Sequence, residues 1–501
     1  MGWRSGFGRG GRGMILGIGA LLAAALAFIG SDVPARVAVT GGTVEGSAAP
    51  GGGATLFRGI PYAGAPVGDR RWRAPAAVAP WRGVRRDNPD APACPQNDQG
   101  WNHDAFAHAS EDCLTLDIRT PALNGKLPVM VWIHGGSNFS GSARGTVQSR
   151  ITDKGVVLVA IQYRLGMLGF LAHRGAAKDA GGHAGNYGLM DQIAALRWVQ
   201  ANIARFGGDP ANVTIFGESA GAQDVSLLLA APDARGLFAK AIMESGTPGF
   251  GMPPRPLADA LALGDQAQAL LGAKSIGEMR ERPLAALLAA DLKLADPSIL
   301  TNDFRWLRTA IDGAVIPRAP RDLLAEAPQR PVIIGSNRAE FGPGPGEADW
   351  DKQLAAIFDA NAARAREFYR ESDPRMGHPE LVFWTDWIFR CPAGRVADLL
   401  SGRGAPVWRY EWDVTEDGAR TSHSAELGWV FGGKTFKSGD LTVSLTDYWV
   451  NFAKTGDPNG GALPRWPAYT ARGRGHVLFD ARGVTPQTAL REPVCSMLEE
   501  L

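Results

Sequence analysis

The sequence predicts an α/β fold, with a mostly parallel central sheet flanked by helices. Three observations carry that prediction. Short apolar runs bounded by turn residues alternate with stretches of helical period. One of those runs passes through a glycine-flanked serine directly into a helical stretch. The chain has 501 residues, 45% of them hydrophobic and 21% charged, enough to bury a large core in one unit.

The elements follow in order. Val129–Ile133 is an apolar run ending in His134-Gly135-Gly136, and Val156–Tyr163 is a second. From Leu189 to Ile203, apolar residues recur at helical spacing through Ile193, Leu196 and Val199. Val213–Phe216 reads as a strand running into Gly217, with Ala220–Leu229 as the helix after it. Ala239–Met243, Val332–Ile334 and Val407–Trp412 complete the expected sheet. The Ala/Leu-rich span 255–325 reads as a helical insertion on the lid side, and Gly342–Gly346 (GPGPG) as a flexible loop. No repeating period points to a solenoid or propeller.

The first 35 residues stand apart. Arg4, Arg9 and Arg12 precede the 16-residue apolar run Met14–Ile29, and Val33-Pro34-Ala35 offers a small-residue exit. That order reads as a secretory signal, leaving 36–501 as a single catalytic domain, secreted or periplasmic. The alternative is an uncleaved anchor at 14–29, although a spanning helix needs about 20 apolar residues. Formal net charge is +1, or −1 without residues 1–35, so no overall field points to nucleic acid or an anionic membrane. The Arg70–Arg73 and Arg82–Arg86 clusters read as a surface segment, not a nucleic-acid site. No stable membrane insertion is expected after signal cleavage. Cys94, Cys113, Cys391 and Cys495 behind such a signal suggest two disulfides, with three possible connectivities. Cys94–Cys113 with Cys391–Cys495 is preferred. No CxxC pair occurs, which speaks against a zinc or redox site.

The chemistry centres on Gly217-Glu218-Ser219-Ala220-Gly221, a G-x-S-x-G pattern between a strand and a helix. The glycines permit a tight turn that lifts the Ser219 hydroxyl, and the helix behind it aims N–H groups at the same point. A serine needs a base before it attacks. In hydrolases built on this turn the order along the chain is serine, acid, histidine, which leaves His378, His423 and His476 as bases. His423, in a loop of small polar residues, is favoured. For the acid, Glu340 follows the Val332–Ile334 run, with Asp312 the rival, more simply a turn residue. The Gly136, Ser137 and Ala220 N–H groups would form an oxyanion hole. The partner expected is a small-molecule ester, with no metal or organic cofactor.

These segments resemble the type-B carboxylesterases, the family that includes the cholinesterases. The resemblance runs over nearly all of the chain after residue 35. It rests on Phe57-Arg58-Gly59-Ile60-Pro61-Tyr62-Ala63, Glu111-Asp112-Cys113-Leu114, and Gly185-Asn186-Tyr187-Gly188-Leu189-Met190-Asp191-Gln192. It continues through Phe206–Gly221 and Trp449–Asn459. It implies an α/β-hydrolase fold, a Ser219–His423–Glu340 triad working through an acyl-enzyme, and the same two disulfides. Three positions depart from the family pattern. Ser137 stands where a third glycine or alanine is common, but only its N–H is needed. Asn138 stands where an aromatic is common, so one wall of the cleft is expected to be more polar. With nearby arginines, that would suit a polar or acidic acyl group. Phe341 replaces the usual glycine after the acid, so that loop is expected to run differently. Glu218 is a candidate pocket residue, either tuning the site or merely anchoring the turn. Trp101, in the loop between Cys94 and Cys113, is expected to be a packing residue. The loops near Phe304-Arg305-Trp306 are expected to shape the pocket.

Overall fold

The computed structural model describes residues 35–252, 254–295, 309–342, 346, 349–370 and 373–499. Residues 1–34 of the expected 1–35 signal segment, the Phe304-Arg305-Trp306 loop and Pro343–Pro345 of the GPGPG loop lie outside the described residues.

Eleven strands form one sheet. Across it they run Gly483–Thr488, Gly475–Asp480, Val407–Asp413, Val332–Asn337, Lys240–Glu244, Gly208–Glu218, Leu127–Ile133, Val157–Ile161, Thr115–Thr120, Thr55–Pro61 and Ser47–Ala48. The pairings from Gly475–Asp480 through to Val157–Ile161 are parallel, and the flanking strands pair antiparallel. Both faces are covered, which is why the central strands read as continuous apolar runs. In Leu127–Ile133, Val129, Val131 and Ile133 enter one core, while Met130 and Trp132 enter the core on the other face. Val157, Val159 and Ile161 alternate in the same way with Leu158 and Ala160.

The predicted helix after Leu189 spans Tyr187–Asn202, and Tyr187 and Trp198 on it are buried in the core. The predicted helix after Ser219 spans Ala220–Ala230, with every residue buried. The 255–325 region is largely helical, with helices Leu257–Leu270, Ile276–Glu281, Leu284–Asp291 and Pro320–Glu326. It also holds a pairing that helical composition does not announce, Arg255–Pro256 against Ala310–Ile311. Both preferred disulfides are present, Cys94–Cys113 and Cys391–Cys495. Among the described residues, no helix is long and apolar enough to cross a membrane.

The topology gathers the chemistry. The C-terminal ends of five adjacent parallel strands lead into the loops carrying His134–Ser137, Ser219, Ser245, Glu340 and His423. That edge is where such sheets place their sites.

Candidate functional site

Ser219 sits at a sharp turn between the strand ending at Glu218 and the helix starting at Ala220. Its φ of 57° and ψ of −126° are a strained conformation for a residue with a Cβ. Ser219 N donates to Glu244 O at 2.8 Å, tying the turn to the neighbouring strand. A Cβ on Gly221 would lie 2.1 Å from Ile133 O, and one on Gly135 would lie 3.1 Å from Ser219 Cβ. Glycine at these two positions is what allows the loop after Ile133 to lie directly against the serine.

That loop turns on Gly136 (φ 105°), Ser137 (φ 59°) and Asn138 (φ 54°). Among the described residues, the N–H groups of Gly136, Ser137 and Ala220 donate to no other protein group, so all three are available to a ligand.

His423 and Glu340 meet at this edge. His423 Nδ1 lies 2.6 Å from Glu340 Oε2, and its Nε2 lies 3.2 Å from Glu218 Oε1. Phe341, in the position where the family commonly has glycine, presents an edge-to-face ring to the imidazole at 4.7 Å. Glu340 is fully engaged. Its Oε1 accepts from Ser245 Oγ and from Asn337 N, each at 2.7 Å, and Asn337 Nδ2 also donates to Glu426 Oε2 at 2.7 Å. Glu218 accepts from Ser424 Oγ at 2.6 Å, and Glu244 from Trp449 Nε1 at 2.7 Å.

Three buried glutamates, Glu218, Glu340 and Glu426, thus act on one imidazole, and buried Glu244 neighbours two of them. Burial works against a charged histidine. Glu218, Glu340 and Glu426 outweigh it and raise His423 to about 9. Burial pushes Glu218, Glu244 and Glu426 up in turn, reinforced for Glu244 and Glu426 by their like-charged neighbours. The titrations of these groups are therefore coupled.

A cavity of about 720 Å³ opens over these residues. Ser219, His423, Glu218, Gly135, Gly136 and Ser137 line it, together with the rings of Trp101, Trp132, Phe341 and Phe431. Among the described residues that line it, none is a lysine or arginine. Among the described residues, no cluster of His, Cys, Asp or Glu could hold a metal ion.

The structure brings together Ser219, Glu340, His423, Glu218 and the Gly136–Ser137 and Ala220 amides. It places three other candidates elsewhere. His476 lies buried in the Gly475–Asp480 strand, and His378 caps the Pro379–Thr385 helix by accepting from Leu381 N. Asp312 Oδ1 accepts from Ala314 N and Ile316 N, the behaviour of a turn residue.

Two expectations are corrected. Asn138 does not wall the cleft. It is 0% exposed, and its amide is used up by Asp224 and Tyr163 behind the loop. Trp101 is no packing residue. It is 67% exposed and hangs over the cavity, with its ring 3.1 Å from where a Gly136 Cβ would be.

Ser245, Asn337 and Glu426 escaped the sequence reading. A signal existed for Ser245, since Glu244-Ser245-Gly246 after an apolar strand repeats the Glu-Ser pattern of the adjacent turn.

Comparisons with known proteins agree in one direction. A family model described as "Carboxylesterase family" matches residues 33–345 and 345–498. Carboxylesterase 1E of Mus musculus is 35% identical over 512 aligned positions, covering 89% of each chain. Liver carboxylesterase 1 of Oryctolagus cuniculus is 33% identical, covering 85% of each. Among solved structures, a PNB esterase superposes with a TM-score of 0.78 at 32% identity, covering 92% of this chain and 99% of that one. A thermophylic PNB esterase matches with the same score and coverage at 30% identity.

Proposed function

The chain belongs to the carboxylesterase family, has its α/β-hydrolase fold and hydrolyses carboxylic esters, and we propose that it does so through an acyl-enzyme on Ser219. One observation carries this reading: His423, held at 2.6 Å by Glu340, lines the same cavity as a serine in a strained turn.

His423 Nε2 takes the Ser219 proton as Oγ attacks the ester carbonyl. Glu340 fixes the ring so that Nδ1 carries the other proton, and it stabilises the imidazolium that forms. The Gly136, Ser137 and Ala220 amides receive the oxyanion, with each donor worth about 100-fold or more in rate. His423 then protonates the departing alcohol, and water repeats the sequence on the acyl-enzyme. The aromatic walls favour a small or medium neutral ester, with no lysine or arginine among the described lining residues. Residues 36–501 act as one catalytic domain in this proposal. Export to a secreted or periplasmic compartment is supported by the two disulfides, which persist under oxidising conditions.

The test is Ser219→Ala, with a fluorophosphonate label mapped on the wild-type protein. Turnover of a p-nitrophenyl ester should fall at least about 10⁴-fold with the fold intact, and the label should sit on Ser219. Wild-type turnover in the variant would refute the scheme.

A further inference from the structure

We propose that Asn138 and Asp224 clamp the oxyanion loop to the helix behind Ser219, making Asp224 a positioning residue for the Gly136 and Ser137 amides; this rests on the reading of Ser219 as the nucleophile.

The loop needs holding. Ser137 and Asn138 are consecutive non-glycine residues at positive φ, a backbone that persists only where its surroundings impose it. What imposes it lies mostly in Asn138. Its carbonyl accepts from Gly166 N at 2.7 Å, and its Nδ2 donates to Asp224 Oδ1 at 3.0 Å. Tyr163 closes the back of the loop. Its hydroxyl lies 2.7 Å from His134 O and 3.1 Å from Asn138 Oδ1, and its ring stacks on His134 at 4.4 Å. Asp224 lies on the Ala220–Ala230 helix, five residues after Ser219. Its second oxygen accepts from Gln192 Nε2 on the Tyr187–Asn202 helix. One carboxyl group therefore ties the amides that receive the oxyanion to the helix that carries the nucleophile.

Asp224 is an unusual choice for core packing. It is 0% exposed, and the side chains that bond it are the neutral amides of Asn138 and Gln192. A buried carboxyl without a counter-ion is costly, and an apolar side chain of the same volume would pack there more cheaply. Burial without a cation raises Asp224 to about 7, so both of its forms occur near neutrality. The link survives in both. With Asp224 ionised, Asn138 Nδ2 donates to it, while Tyr163 shares its one proton between His134 O and Asn138 Oδ1. With Asp224 protonated, the Asn138 amide turned over accepts from the acid and donates to Tyr163 Oη.

The second arrangement supplies the test. Asp224→Asn can donate to Asn138 and accept from Gln192 as the acid does, whereas Asp224→Leu keeps the branched outline with bulkier methyls and loses the link. Active sites are counted with a fluorophosphonate, and kcat per site, KM and the affinity for an aryl trifluoromethyl ketone are measured. Asp224→Leu should lower kcat per site about 10- to 100-fold and weaken the ketone in parallel, with KM within about 3-fold. Asp224→Asn should restore kcat to within about 3-fold of wild type. Asn138→Ala should match Asp224→Leu, and the double variant should be no worse than either, because both cut one link. If Asp224→Leu fails to fold, Asn138→Ala reads the same link from the loop side. Wild-type kcat per counted site in Asp224→Leu or Asn138→Ala, with only a lower melting temperature, would overturn the clamp. So would effects that multiply in the double variant. A wild-type label on a residue other than Ser219 would instead sink the nucleophile assignment, and the clamp with it.

Discussion

Replacing Glu218 by Gln should move the acid limb of the pH–rate profile downward. Glu218 Oε1 lies 3.2 Å from His423 Nε2, and Glu218 is foremost among the carboxylates that raise the imidazole, against burial, to about 9. At an effective dielectric of about 20, two full charges at that separation interact by roughly 5 kcal/mol. Burial disfavours the charged form of Glu218 and pushes its own pKa up, so only part of this interaction is realised. A quarter to a half of the full interaction corresponds to a fall of about 1 to 2 pH units in His423. The amide oxygen of Gln can still accept from Ser424 Oγ, which donates to Glu218 at 2.6 Å, so the turn should hold its shape. The sign follows. A lower imidazole pKa frees more base at a given pH, so kcat/KM near about pH 6 rises relative to its plateau. The plateau itself falls, since the imidazolium formed during attack loses a neighbouring anion. The assay is kcat/KM for a p-nitrophenyl ester from about pH 5 to about pH 10, with the His423 ring titrated in parallel by NMR. A limb that stays within about 0.3 unit, or moves upward, would refute the claim that an anionic Glu218 holds the imidazole.

Further outcomes concern stability and support. Asp117 and Asp224, both raised to about 7 by burial, and His423, raised to about 9, hold protons more tightly in the folded chain. Buried His134 and His476, lowered to about 4 and about 3, act in the opposite sense but are spent by about pH 6.5. The melting temperature should therefore fall as pH rises from about 6.5 to about 9, and a flat or rising profile by scanning fluorimetry would contradict it. Converting Cys391 and Cys495 together to alanine opens a loop of 104 residues. Chain entropy puts the loss at up to about 5 kcal/mol, read as a lower urea midpoint. An unchanged midpoint would show that the bridge constrains little. Ser245→Ala removes the hydroxyl that donates to Glu340 Oε1 at 2.7 Å. We expect kcat to fall about 3- to 10-fold with circular dichroism unchanged; full activity would make Ser245 dispensable.

Local chemistry was legible in the sequence where it is written in consecutive residues. Gly217–Gly221 announces a turn because the glycines are needed where they stand, whereas chain order past strand ends leaves three histidines and two acids open, of which the structure pairs Glu340 with His423. Boundaries were less legible. The strand read as Val213–Phe216 begins at Gly208, through Asp209, Pro210 and Asn212, because pairing of Gly208 with Leu127 overrides their preference for turns. The inner support was not legible at all. Asn138 and Asp224 are 86 residues apart, and no periodicity links them. Exposure of Trp101 likewise depends on how its loop lies, which composition does not encode.

That loop has a consequence of its own. It is closed at its base by Cys94–Cys113. Nearer the cleft, Gln96 accepts from Gly141 N and donates to Gly141 O, each at 2.8 Å. The stretch between carries Trp101 over the cleft, yet it contributes no strand to the sheet. It is pinned along its length as well, by Asn97 Nδ2 donating to Leu288 O at 3.1 Å and by buried Asn102 donating to Gln96 Oε1 at 2.7 Å, while Trp101 stays exposed. Replacing Trp101 alone should therefore alter which esters are admitted while leaving Glu340, His423 and Ser219 where they are. Selectivity and reactivity are then separable traits in this protein, open to change by independent mutations.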